Sequence, residues 1–542
     1  MKRVFFLIVI LQLVLVVKSA DVTIGDIRYY VYPDLSSATV SSIPDYATIT
    51  EIQVPDSIFY NLTYIPVTRL GYASFKDCRN LQSVKIGNCV KAIGNQCFNN
   101  CSKLREIVIP KSVSSIVIED SPMFLGCDSL SSIIVSSENP YFDSRENCNA
   151  IIETSTNTLV AACSSTVIPS TIDSIGDYVF QNMVIKGDLV LGGNIKSLGK
   201  KSFLSATLES VTICSPIKSI PAYCFESSKI QSLNILDSVE TIDLGAFSNA
   251  VIATELTLPE SLKEIKNSAF ASINVPAITL GNSLKTIGIY AFAGCKFKSI
   301  VIPNSVETLG GYAFYGSSLE HITLGNSIET IGYMLLSGSK SLKSITIPSN
   351  VNLLMDYSLS ICSKLDTVII KGPVKMGKGI FDGTPLKYIY LGGNVTLHST
   401  ANGRQAFPES IKTYELDARV TDLTDIYLTS NNNTKYYCRG LIPPTADDYT
   451  FKDGLYQSEI HVPASAVNTY KNTLYWCNFY NIIGDITFFG DINGDALIDI
   501  SDVNIAINAM LGKIDEVQAD INGDGVVDIA DVNLVINAML GK

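Results

Sequence analysis

Residues 319 to 341 read "LEHITLGNSIETIGYMLLSGSKS", and this stretch decides the fold. Leu319, Ile322 and Leu324 fall on one side, as in a half-buried strand. "GN" turns the chain, Ile328 and Ile331 point inward again, and the next residues form a curl. The same text recurs as "SVETLGGYAF" at 305–314 and "SLKEIKNSAF" at 261–270, and Phe180, Phe203, Phe225, Phe247, Phe270, Phe292 and Phe314 stand 22 or 23 residues apart. A fixed period of this length predicts a mainly β solenoid, in which each unit leaves an apolar edge bare and stacking of neighbours completes the core.

Between the inward residues of each strand lies a surface file. Ser210, Ser232, Ser299 and Ser344 form one, and Thr212, Thr257, Thr279, Thr323 and Thr346 the next. Threonine suits a pleated surface and packs on threonine across strands, so the files have a structural reading. The other reading is a neutral, hydroxyl-rich face able to receive a glycan or an extended protein surface by hydrogen bonds.

These repeats, joined by turns such as "IPNS", "LPES" and "LGNS", resemble the BspA-like branch of the leucine-rich-repeat proteins over residues 61–395. An insert near 139–169 is similar to one that family carries between repeats, and it accounts for the gap from Phe124 to Phe180. The resemblance implies secretion and a binding or adhesive surface but no one ligand; a host protein or glycan is the expected partner of the solenoid face. It implies no catalysis. Residues 21–60 are expected to form an N-terminal β cap. Residues 396–485 break the period and are expected to cap the other end, because an open solenoid end exposes strand edges and core. There a strand should end at Pro463, a helix should carry Val467, Tyr470, Leu474 and Cys477 on one face, and Trp476 is expected in the core.

The chain has 542 residues, a net charge of -12 and 46% hydrophobic residues, as expected of a well-cored globular protein. Residues 490–542 hold ten acidic residues and two lysines, so this short segment supplies -8 of the charge. The remaining, nearly neutral body speaks against nucleic acid as a partner, which would need clustered Lys/Arg. "MKRVFFLIVILQLVLVVKSA" at 1–20 reads as a secretory signal peptide cleaved near Ser19 or Ala20. Its apolar run is short for a span, no other run is long enough, and the mature chain is expected to be secreted without a membrane span. Cys78, Cys101, Cys127, Cys295 and Cys362 each follow a repeat Phe or Leu by three residues, a repeat position that predicts buried thiols; Cys78 and Cys101 are the alternative pair for a bridge. The three histidines, His321, His398 and His461, fall in unrelated segments, and neither a Gly-rich phosphate loop nor HExxH is present. No enzyme is expected; an accessory carbohydrate-active enzyme is the minority reading.

The C-terminus repeats itself. "DINGDALIDISDVNIAINAML" at 491–511 returns as "DINGDGVVDIADVNLVINAML" at 520–540. Asp491, Asn493, Asp495, Asp499 and Asp502, with the Leu497 carbonyl, occupy positions 1, 3, 5, 9, 12 and 7 of a calcium loop, and Asp520, Asn522, Asp524, Asp528, Asp531 and the Val526 carbonyl do so in the second copy. Two Ca²⁺ sites are expected. Each loop leads into an amphipathic helix, with Val503, Ile507, Met510 and Leu511 on one stripe and Val532, Ile536, Met539 and Leu540 on the other. Aspartate rather than glutamate at position 12, and no helix before either loop, make residues 486–542 resemble a dockerin, type I-like. That resemblance implies docking onto a cohesin-bearing scaffold in an extracellular multiprotein or polysaccharide-processing assembly, with Ile500, Ser501, Ile529 and Ala530 facing the cohesin. A free-standing adhesin with a calcium-stabilised end is the alternative.

Overall fold

The computed structural model describes residues 19–398, 405–428, 434–451, 458–486, 491–493, 498–514, 519–521 and 526–540. It is mainly β, a solenoid of about 18 turns at about 22-residue spacing. Two compact units divide the chain at Ser232 and Leu233.

The first unit opens with the antiparallel strands Ala20–Ile24, Ile27–Val31 and Ala38–Ser42. Pairing then turns parallel: Ala38–Ser42 takes Thr63–Leu70, and Ala92–Ile93 and Ser115–Ile116 follow rung by rung. A second ladder stacks Glu51–Gln53, Ser83–Lys85, Glu106–Ile109 and Ser132–Val135. The insert folds as the antiparallel strands Phe142–Asp143, Ala150–Glu153 and Thr158–Ala162, and the last rejoins the parallel order through Ser174–Ile175. Beyond it, Val184–Leu191 begins a new ladder with Thr207–Ile213.

In the second unit the short strands Thr241–Ile242, Glu264–Ile265, Thr286–Ile287 and Thr308–Leu309 line one side. Of the opening stretch, Leu319, Ile322, Leu324, Ile328 and Ile331 are all buried. Phe247, Phe270, Phe292 and Phe314 stack at centroid separations of 5.3, 5.3 and 5.5 Å with nearly parallel rings. Such pairs add about 0.5–1.5 kcal/mol each beyond the area they bury. The curl two residues before Phe292, Phe314, Leu336 and Leu359 places Tyr290, Tyr312, Met334 and Tyr357 at φ 57°, 60°, 49° and 57°. A left-handed non-glycine residue costs roughly 1–2 kcal/mol. Rung-to-rung hydrogen bonds offset that strain, Tyr312 N–H reaching Tyr333 O at 2.9 Å and Phe314 N–H reaching Leu335 O at 3.0 Å.

Where the sequence period breaks, the ladder does not. Ser344–Ile347, Thr367–Ile370, Tyr388–Leu391, Thr413–Leu416, Lys435–Cys438, Glu459–Pro463 and Asn481–Ile486 pair in parallel succession through the expected cap. Trp476 is fully buried, its indole N–H donating to Pro444 O at 2.8 Å. The helix there, α1 (Val467–Asn472), is shorter than expected. Thr473 is extended and Tyr475 has φ 71°, so Leu474 and Cys477 face solvent and only Tyr470 of the expected face is fully covered. All thirteen cysteines are unpaired, and the five at the repeat position are buried. Burial pushes the Cys295 and Cys362 thiols up to about 12. Among the described residues no helix is long and apolar enough to cross a membrane.

Candidate functional site

The C-terminal duplicate builds helices α2 (Ile500–Met510) and α3 (Ile529–Met539). Each starts with a capping box: Asp499 or Asp528 accepts from the first-turn backbone, and Asp502 or Asp531 accepts from the backbone N–H of that cap. The Ser501 hydroxyl and N–H hold the Asp499 carboxyl below the usual carboxylate range. Asp502 is fully buried. Its carboxylate takes the N–H groups of Ile492 at 2.8 Å, Asn493 at 3.2 Å and Asp499 at 3.0 Å. Asp531 repeats this with Ile521 at 2.8 Å and Asp528 at 2.9 Å, again fully buried.

Position 12 of both loops is therefore a buried carboxylate fixed by the loop's own backbone. No lysine or arginine among the described residues is paired with Asp502, and a buried charge without a counter-charge is costly. A hard cation would supply one, and the aspartate, asparagine and carbonyl donors of the two loops fit Ca²⁺. Asp495, Leu497, Asn522 and Asp524 lie outside the described residues, as do Ala496 and Gly525 at position 6. Among the described residues no three His, Cys, Asp or Glu side chains gather as a metal cluster.

The helices cover a smaller stripe than their periodicity suggests. Val503, Ala506, Val532 and Val535 form the core with Ile492 and Ala519, while Ile507, Met510 and Ile536 are half-buried. Leu511 and Leu540 are each 56% exposed. They follow the last helical residue as C-caps, and Gly512 turns the chain away at φ 64°, which carries Leu511 off the buried face. Ile500 and Ile529 are 63% and 60% exposed, so the two isoleucines expected to face a partner stand in solvent 29 residues apart. Ala530 beside Ile529 is exposed, and Ser501 is half-buried through its bond to Asp499.

On the solenoid the hydroxyl files lie where alternation places them. Thr257 sits directly opposite Thr279, Ser299 opposite His321 and Ser344 opposite Thr367. Thr257, Thr279, Thr323, Ser344 and Thr346 are exposed, while Ser210 and Thr212 are half-buried. A shallow hollow of about 700 Å³ lies over Thr323, Asn326, Ser344, Thr346 and Asn350.

Family models match this arrangement. The BspA-type leucine-rich repeat region matches residues 27–158, 152–276, 218–296 and 285–412, and the type I dockerin domain matches 489–540. The chain belongs to the BspA-type leucine-rich repeat family. Among solved structures it is similar to a leucine-rich repeat protein from Bacteroides ovatus, at 21% identity and TM-score 0.46, over 70% of this chain and 100% of that one. A leucine-rich cell surface protein from Faecalibacterium prausnitzii shares 19% identity over 71% of this chain and 96% of its own, with TM-score 0.36. The pneumococcal vaccine antigen PcpA shares 14% identity over 86% and 99%, with TM-score 0.30. No curated protein matches the chain. A repeat solenoid with a dockerin supports a non-catalytic protein-interaction role, and type I dockerin domains are generally calcium-binding.

This BspA-type chain also carries a surface cluster that repeat reading missed. On the outward side of the last rungs Tyr390, Glu415, Tyr437 and His461 stand in register, flanked by Tyr388, Lys435 and Glu459. The Tyr388 hydroxyl donates to Glu415, which also pairs with Arg439 at 2.5 Å. Tyr390 donates to Asp417 at 2.6 Å, and burial together with that carboxylate pushes the phenol up to about 12. Burial opposes ionisation of Asp417, but Arg419 and Tyr390 still hold its carboxyl below the ordinary range. His461 is buried, stacks on Tyr437 at 4.4 Å and lies 2.9 Å from Asp485 through Nδ1. The signal was present in the alternating "YIYL", "TYEL", "KYYC" and "EIHV", but the broken period hid their common register. His321 is exposed on its strand and does not join His461 in a catalytic set.

Proposed function

We propose that this is an exported, non-catalytic binding protein whose solenoid presents a recognition surface and whose dockerin tethers it, through Ca²⁺ at two loops, to a cohesin on an extracellular scaffold. The observation that carries the reading is the pair Ile500 and Ile529, each at least 60% exposed at the first turn of a duplicated helix while Asp502 and Asp531 are fully buried. A small module that buries two carboxylates at its helix starts and leaves an isoleucine in solvent at each first turn is built to be covered by another protein. Cohesin contact falls to Ile500, Ser501, Ile529 and Ala530. Residues 1–20 direct export, 21–60 cap the solenoid of 61–395, 396–485 close it and 486–542 form the dockerin; the hydroxyl files of the solenoid receive a protein or glycan.

The test is capture of the full chain on an immobilised panel of cohesin modules, with calcium and with EGTA. Calcium-dependent capture that falls when Ile500 and Ile529 are both changed to Asp supports docking. Failure on every cohesin, or capture indifferent to EGTA and to both substitutions, sinks it. The free-standing adhesin then gains ground, since the same module would stabilise the chain's end without a scaffold.

A further inference from the structure

The insert at 139–169 interrupts a ladder, and the interruption leaves a strand half-used. Val184–Leu191 pairs only with Thr207–Ile213 and ends its sheet. Leu191 O accepts from Cys214 N–H at 2.8 Å, which fixes the direction of its backbone groups. In a parallel ladder alternate residues turn both N–H and C=O the same way, so those of Leu189 and Leu191 face Thr207–Ile213 and those of Asp188 and Val190 face away. No other strand among the described residues pairs with that far edge.

Beside the edge lies a groove of about 1030 Å³, at the top of the roughly 300–1,000 Å³ range of ligand sites. Its opposite wall is the segment 163–170, which is fixed in place. Val167 N–H donates to Cys148 O at 3.0 Å, the Thr166 hydroxyl to Asn149 O at 2.6 Å and Cys163 N–H to Thr166 Oγ1 at 2.8 Å. One end is closed by Asn194 Nδ2 on Ser170 O at 2.5 Å. Val167, Val184 and Val190 line the groove and are 69%, 58% and 58% exposed. Proteins guard strand edges with charges and bulges. Here a bulge lies between Ile185 and Asp188, with Gly187 at φ 77° and its N–H on Glu209 at 2.7 Å, and the run from Asp188 to Leu191 beyond it is regular.

We propose that this edge and groove form a peptide-binding site, which takes an extended segment of a partner protein as an added strand. The edge presents donors and acceptors alternating at peptide pitch, which a polypeptide matches and a glycan does not. The fixed wall favours a flexible segment over a second copy, because a rigid solenoid edge would have to enter beneath residues 163–170. Lys186 and Asp188 offset each other, so the fitting segment is uncharged, with β-branched side chains at alternate positions to meet Val167 and Val190.

The probe is a fluorescent peptide copying residues 131–137, "SSIIVSS", with a terminal lysine for solubility, titrated into the full chain by anisotropy. Saturable binding is expected. Val190→Pro removes an N–H that faces the groove and not the neighbouring strand, so the fold should survive while binding weakens about tenfold or more. Two peptides N-methylated on alternate amides supply the second measurement: one set should lose binding and the other keep it. Should Val190→Pro fail to fold, Val167→Lys and the methylated pair decide. Equal binding by both methylated sets, no effect of Val190→Pro in a folded variant, or no binding at all overturns the proposal. Concentration-dependent self-association of the full chain, abolished by Val190→Pro, gives the edge to a second copy and overturns it as well.

Discussion

Phe270 lies fully buried between Phe247 and Phe292, whereas Ile500, Leu511, Ile529 and Leu540 of the C-terminal module are all more than half exposed. The solenoid covers each ring with the next, so its core grows with every rung. Among its described residues the module has two 11-residue helices and a core of six buried hydrophobic residues, two of them alanine. Helices of that length are marginal alone, and a core of this size supplies little stability. Two fully buried aspartates add to the cost. One region is stabilised by repetition and the other is expected to draw on a bound metal, which makes the comparison easy to break by experiment.

Calcium removal should separate the two regions most widely. Calorimetry of the full chain with excess EGTA is expected to abolish the module's transition and its helical signal, since metal binding is folding free energy in such loops. The solenoid transition should stay where it was. A large shift of the solenoid under chelation would show that it too carries a metal, and a module indifferent to EGTA would end the calcium reading of Asp502 and Asp531.

The second effect belongs to the stack. Phe270→Ala removes a fully buried ring from between two others and should cost about 3–5 kcal/mol. Denaturant unfolding should place that loss in the solenoid and leave calcium binding to the module unchanged. A loss below about 1 kcal/mol would mean that neighbouring rungs collapse into the space, and that ring stacking contributes little.

This division was legible in the sequence where period and burial coincide. The spacing of the phenylalanines is the ring stack of each unit, Phe180 to Phe225 in the first and Phe247 to Phe314 in the second. Loop counting places Asp502 and Asp531 at position 12, and both are fully buried at the start of their helices, while the counted centres of both loops lie outside the described residues. Legibility failed where geometry departs from period. Leu511 and Leu540 continue the apolar stripe on paper, but each is a C-cap outside its helix and points to solvent. Leu474 and Cys477 were lost to a helix that stops at Asn472. The last rungs were hidden because their coils differ in length, although Tyr390, Glu415, Tyr437 and His461 share one register.

Those rungs give the third test, on pH. The native Asp417 carboxyl is held below its unfolded value, so its contribution is present above the unfolded pKa of about 3.9 and is lost as pH falls through the lower native one. Asp417→Asn should destabilise the solenoid near neutrality by about 1.5–3 kcal/mol, the range for hydrogen bonds to a charged group. Melts of the two proteins should begin to draw together as pH falls below about 4 and meet only below the native value. A gap that persists in acid would assign the loss to packing and not to the Arg419 and Tyr390 bonds. The module's calcium response should be the same in both proteins.

The smallest effect lies inside the module, where its two halves differ. Position 6 of a calcium loop needs a sharp turn that glycine makes freely; by loop counting the second copy has Gly525 there and the first Ala496, and for alanine a left-handed backbone costs roughly 1–2 kcal/mol. The other differences, Leu497 against Val526 and Ser501 against Ala530, change a side chain at a carbonyl ligand or at a non-ligand position. The first loop should therefore bind calcium about one decade more weakly, since roughly 1.4 kcal/mol is tenfold. Ala496→Gly should close the gap by tightening the first site alone, because the penalty resides in one residue's dihedral angle and the ligand set is untouched. Calorimetric titration of the full chain reads both sites at once. Two sites already equal before substitution, or no gain from Ala496→Gly, would show that the first loop avoids the left-handed turn by another geometry, and that the duplicate halves are equivalent in binding despite differing at the residue that should matter most.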